Sequence, residues 1–122
     1  CPKCKYIKKF VLDNFQLTFR HKGGGWADIE KKINKKVYGA LYVISKCAEN
    51  RLDKYEDYPI VYKKMYFKYK NKKVMTYTMV RKTKPVQPST QYLNIIKQGY
   101  KDCKINFRSL DVALQLAQHH QR

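Results

Sequence analysis

The chain has 122 residues, 43% of them hydrophobic and 30% charged, with a formal net charge of +18 and four cysteines. That length makes a single domain with a real core, and no apolar run approaches the ~20 residues that a membrane-spanning helix needs. Lys supplies 22 of the 27 cations, and Lys is a point charge rather than the planar fork that reads base edges, so the composition argues against sequence-specific nucleic-acid recognition.

Cys1-Pro2-Lys3-Cys4 has the spacing of half a zinc site. Cys47 and Cys103 are isolated, and His21, His119 and His120 lack knuckle spacing, so no metal site is expected. Four reduced thiols in a cytoplasmic protein are the simplest reading. Residues 5–19 form two strand-forming runs broken by the turn pair Asp13-Asn14. Gly23, Gly24 and Gly25 are followed by no Lys-Ser/Thr pair, so they make no nucleotide-binding loop. They read as backbone that comes close to another strand or to a small ligand. Residues 26–30 and 36–44 are strand-like, K-K-I-N-K between them is a solvated turn, and Gly39 marks a bulge or a close contact.

Ser45 caps a helix over 46–55 whose apolar stripe is Ala48, Leu52 and Tyr55. Four of the nine acidic residues, Glu49, Asp53, Glu56 and Asp57, fall within this short stretch of a basic chain. Tyr55, Tyr58 and Tyr62 surround Pro59, so Glu56 is expected among rings that exclude water and raise its pKa, as a general base for an amine requires. A solvated helix end followed by a proline turn is the plainer alternative.

Residues 61–70 alternate, with Val61, Lys63, Met65, Phe67 and Tyr69 on one face and Tyr62, Lys64, Tyr66, Lys68 and Lys70 on the other. The Tyr/Lys face is expected to be a solvated outer surface; stacking bases is its other use. Residues 71–73 turn the chain into a partner strand over 74–80. Residues 81–88 carry two prolines and are irregular. Ser89 caps a helix over about 90–101 with Tyr92, Ile95, Ile96 and Gly99 on one face, and a last helix over 109–119 turns Leu110, Ala113, Leu114 and Ala117 inward. The sum is an α+β fold: a curved, mainly antiparallel sheet or small barrel of about five strands flanked by two or three helices.

Four segments resemble, in order, those of the gamma-glutamylcyclotransferase-like family. L-D-K-Y-E-D-Y-P-I-V-Y at 52–62 is similar to its Y-E-G-Y-P type segment, and H-K-G-G-G-W-A-D-I at 21–29 to its Gly-rich segment. K-V-Y-G-A-L-Y-V-I at 36–44 is similar to its V-W-G-V-L-Y strand, and P-S-T-Q-Y at 88–92 to its P-S-x-x-Y helix start. The resemblance implies a barrel-like sheet and release of 5-oxoproline by attack of a glutamyl α-amine on its own γ-carbonyl, without a cofactor. It makes Glu56 the catalytic acid/base and Tyr92 a substrate contact, with Tyr62, Gly24 and Gly25 the further candidates for the substrate pocket. Asp57 stands where many members have Gly. The family's Y-G-S-N type loop has no counterpart in residues 1–122, so a single domain lacking its first strand and helix is expected. The implied partner is a small gamma-glutamyl compound, with no membrane and with a homodimer admitted. A basic module for single-stranded nucleic acid or an anionic surface is the less favoured alternative, and a non-catalytic member of the fold is another.

Overall fold

The computed structural model describes residues 4–119. Apolar and aromatic residues alternating with Lys form two long strands, β1 (Cys4–His21) and β2 (Gly25–Ile44), paired antiparallel from Cys4↔Ile44 to His21↔Gly25. Their connection is tight because Gly23 and Gly24 take φ of 66° and 140°, values that a Cβ disfavours. At Gly25 a Cβ would lie 2.5 Å from the carbonyl oxygens of Val86 and Gln87. The backbone that Gly25 approaches is therefore the chain's own, and Gly23 and Gly24 approach none. That segment extends β1, with the His21 N–H donating to Lys84 O at 3.0 Å and the Val86 N–H to Phe19 O at 3.0 Å.

The expected separate runs merge. Asn14 and Asn34 adopt φ of 62° and 67°, which Asn tolerates better than most residues, and the Asn34 N–H donates to Asn14 Oδ1 at 3.2 Å. The ladder breaks after Asp13↔Lys36 and resumes at Phe15↔Lys31, so residues 32–35 bulge into solvent and both strands bend without ending. Gly39 sits opposite Phe10 with open space where a Cβ would go, so it marks neither a bulge nor a contact.

β3 (Tyr62–Tyr69) and β4 (Lys72–Met79) form a second hairpin across Lys70 and Asn71, both at positive φ as a two-residue turn requires. The described residues thus hold four strands in two antiparallel ladders, not about five in one sheet, and no closed barrel. Phe10 joins the ladders by stacking on Phe67 at 5.5 Å and meeting Tyr69 edge-on at 5.0 Å. On another side, residues 40–44 of β2 and 72–77 of β4 face each other across a groove of about 860 Å³, with Lys8, Lys70, Lys72 and Lys73 around it.

Helices α1 (Lys46–Tyr55) and α2 (Thr90–Asp102) start where expected, Ser45 Oγ accepting from the Ala48 N–H at 3.0 Å and Ser89 Oγ from the Tyr92 N–H at 3.2 Å. In α3 (Arg108–His119), Leu110, Ala113 and Ala117 are fully buried, and Leu110 and Ala113 share a core with Leu17 and Phe19. Two helix faces differ from the pattern. Tyr92, Leu93, Ile96 and Tyr100 carry α2 onto that core while Ile95 is 71% exposed, and Tyr55 at the end of α1 is 73% exposed. Cys4 is disulfide-bonded whereas Cys47 and Cys103 are free, which corrects the expectation of four reduced thiols. Cys1, Pro2, Lys3 and His120 lie outside the described residues. Among the described residues no helix is long and apolar enough to cross a membrane.

Candidate functional site

Glu56 is the C-cap of α1, its N–H donating to Leu52 O at 2.8 Å while the Asp57 N–H donates to Lys54 O at 3.2 Å. Asp57 then takes a left-handed φ of 52°, Tyr58-Pro59 is cis, and the N–H groups of Ile60 and Val61 both donate to Asp57 O at 2.9 Å. This closed loop fixes Glu56 where the helix ends and β3 begins. A cavity of about 430 Å³ opens there, lined by Glu56, Lys22, Trp26, Asp28, Tyr62 and Tyr92 among others. Turn 22–24, β2, the end of α1, β3 and the start of α2 converge on it.

Burial raises the Glu56 carboxyl above the ordinary range. The shielding differs from expectation, because Tyr55 and Tyr58 are exposed and Tyr58 instead lies under the Lys64 ammonium at 4.4 Å. Tyr62 is buried. Its hydroxyl donates to Ala27 O at 2.6 Å, and the Ala27 N–H donates to the Tyr92 hydroxyl oxygen at 3.2 Å. Two phenols thus hold one residue of β2, one at its carbonyl and the other at its N–H. The Tyr62 proton is committed to that carbonyl, while Tyr92 acts there as an acceptor and its own proton meets no acceptor among the described residues. Both phenols are raised, first by burial, and the charge of Glu56 raises each further. Gly24 and Gly25 do not reach the described lining; they shape the turn beside it.

The acidic cluster divides. Glu49 and Asp53 hold Lys64 at 2.7 and 3.0 Å, with the Lys64 side chain only 10% exposed, and Asp53 also accepts from the Tyr77 hydroxyl. Burial pushes Asp53 up, but the bonds from Tyr77 and Lys64 prevail and its pKa is lowered. Glu56 and Asp57 alone of the four line the cavity. Burial of Tyr62 and Lys64 also corrects the picture of a Tyr/Lys outer face: of its two tyrosines, Tyr66 is exposed, with the Lys73 ammonium over its ring at 4.2 Å.

Sequence reasoning missed the cavity wall at Asp28. Its carboxylate, 0% exposed, accepts from the Met79 N–H at 2.6 Å, from the Thr78 hydroxyl at 3.1 Å and from Lys82 Nζ at 2.6 Å. Arg20 Nε lies 3.6 Å away and its other end pairs with Glu30 at 2.7 Å. Here a side chain replaces the backbone ladder that β2 and β4 do not make. The available signal was Arg20 with Asp28 and Glu30, which the register of a hairpin puts on one face.

Residues 36–107 match the AIG2-like family. No curated protein sequence matches the chain. Among solved structures, an uncharacterized protein from Homo sapiens superposes with a TM-score of 0.70 at 24% identity, over 84% of this chain and 68% of that one. A gamma-glutamyl cyclotransferase does so with a TM-score of 0.70 at 23% identity, over the same 84% and 68%. YkqA from Bacillus subtilis gives 0.69 at 20% identity, over 80% of this chain and 39% of its own. These likenesses establish a shared fold.

Proposed function

Because this chain belongs to the AIG2-like family and carries the gamma-glutamylcyclotransferase-like fold, we propose that its Glu56 cleft releases 5-oxoproline from a gamma-glutamyl compound. The observation that carries this reading is a half-buried carboxylate of raised pKa sharing one cavity with a tyrosine hydroxyl whose proton is uncommitted. In the proposed reaction the neutral α-amine attacks the γ-carbonyl carbon. Glu56 takes the proton that the new ring nitrogen must lose and hands it to the leaving nitrogen as the original C–N bond breaks. The transient oxyanion accepts from the Tyr92 hydroxyl. Nucleophile and electrophile belong to one molecule, so holding the cyclising conformer supplies much of the acceleration and the step calls for no cofactor.

Glu56→Gln tests it, since the change removes the proton carrier and almost no volume. With 5-oxoproline release measured over a panel of gamma-glutamyl amines and dipeptides, the substitution is expected to lower kcat by about 100-fold or more and to leave KM within a few-fold. Turnover that survives the change removes Glu56 from the mechanism.

A further inference from the structure

The turn between β1 and β2 brings a cation to the cleft. Lys22 is the only Lys or Arg among the cavity's described lining residues, and no carboxylate pairs with it among the described residues. Its backbone is held at both polar groups, the N–H donating to Gly24 O at 2.8 Å and the carbonyl accepting from Trp26 Nε1 at 2.9 Å. The backbone is pinned while the ammonium makes no ion pair among the described residues. Only glycine-rich sequence makes this turn comfortably, with Gly23 and Gly24 at positive φ, so the triplet acts on the site by delivering Lys22.

The remaining charges in the lining are carboxylates. Asp28 is saturated by Lys82, Thr78 and the Met79 N–H, which leaves Glu56 and Asp57 to repel any anion that enters. We propose that Lys22 is the specificity-determining cation of the cleft: it holds the α-carboxylate of the substrate while Glu56 serves the α-amine on the same carbon. The ligand class is then γ-amides of amino acids that keep both a free α-amine and a free α-carboxylate. This deepens the cyclotransferase reading and rests on it for the identity of the reacting group.

The experiment compares a γ-glutamyl amide with the matching 4-aminobutyryl amide, which retains the amine and the amide and lacks only the carboxylate. Lys22→Met is expected to shrink the preference for the γ-glutamyl amide about tenfold in KM, as loss of one charge-assisted contact would, and Lys22→Arg to retain it. A preference unmoved by Lys22→Met overturns the assignment. Calorimetric binding of 5-oxoproline against 2-pyrrolidinone gives a readout that needs no turnover. Selective loss of 5-oxoproline binding in Lys22→Met upholds the clamp, and equal binding of the two lactams by the parent protein overturns it. Turnover that survives Glu56→Gln would instead sink the proposed reaction and leave the lactam result standing.

Discussion

At Glu56 the group proposed to do the chemistry also strains the fold. Its folded pKa lies above its unfolded value, so the folded chain binds that proton more tightly than the unfolded one. The associated stability is full at acid pH and is lost as pH rises through the raised value. Glu56→Gln is therefore expected to raise Tm at neutral pH, with the gain vanishing below the ordinary carboxylate range; melting curves across pH check it, and a gain that persists in acid would show another cause. Glu56 was legible because scarce acids in a basic chain stand out beside Tyr and Pro. Asp28 was not, because the residues that bury it, Thr78, Met79 and Lys82, lie some fifty positions away. No local pattern carries that information.

Between elements, Lys64 fastens β3 to α1 through Glu49 and Asp53. Removing it leaves two carboxylates facing each other beside Tyr77. Lys64→Met is expected to destabilise the fold by about 1–2 kcal/mol at neutral pH. Asp53 has a lowered folded pKa, so its share of this stability is present above the unfolded value and is lost as pH falls through the folded one. Parent and variant should therefore differ in denaturant melts at neutral pH, and the difference should close as pH falls through the acid range. The capped helices were readable because Ser45 and Ser89 act within one turn of themselves. The strand count was not, since Asn14 and Asn34 each look like a terminator and together make a bend that the ladder survives. The face of α2 turned on whether Leu93 and Tyr100 or Ile95 and Gly99 meet the core, a choice that helix α3 and strand β1 settle.

Over the whole molecule, three of the four segments that resemble the cyclotransferase family meet at one cleft, through Lys22 and residues 26–29, the end of α1 with the start of β3, and Tyr92 of α2, while residues 40–44 of the fourth line the groove facing β4. Each of those motifs is a short local run, so it could be read in chain order. How the two hairpins meet could not, because side chains rather than a shared ladder join them.

The groove between β2 and β4 bears on how copies of this chain behave toward one another. Among the described residues neither strand pairs beyond its own hairpin, and such edges template intermolecular pairing. Lys8, Lys70, Lys72 and Lys73 surround them and set a like-charge barrier that a second copy must cross. That barrier is screened within about 10 Å at 0.1 M salt. Light scattering is expected to stay flat at low ionic strength and to rise with added salt. Replacing Lys70, Lys72 and Lys73 by Thr should bring the rise to lower salt, whereas an unchanged salt threshold would mean that these lysines do not guard the edges. A composition that looked like an invitation to polyanions then serves colloidal stability.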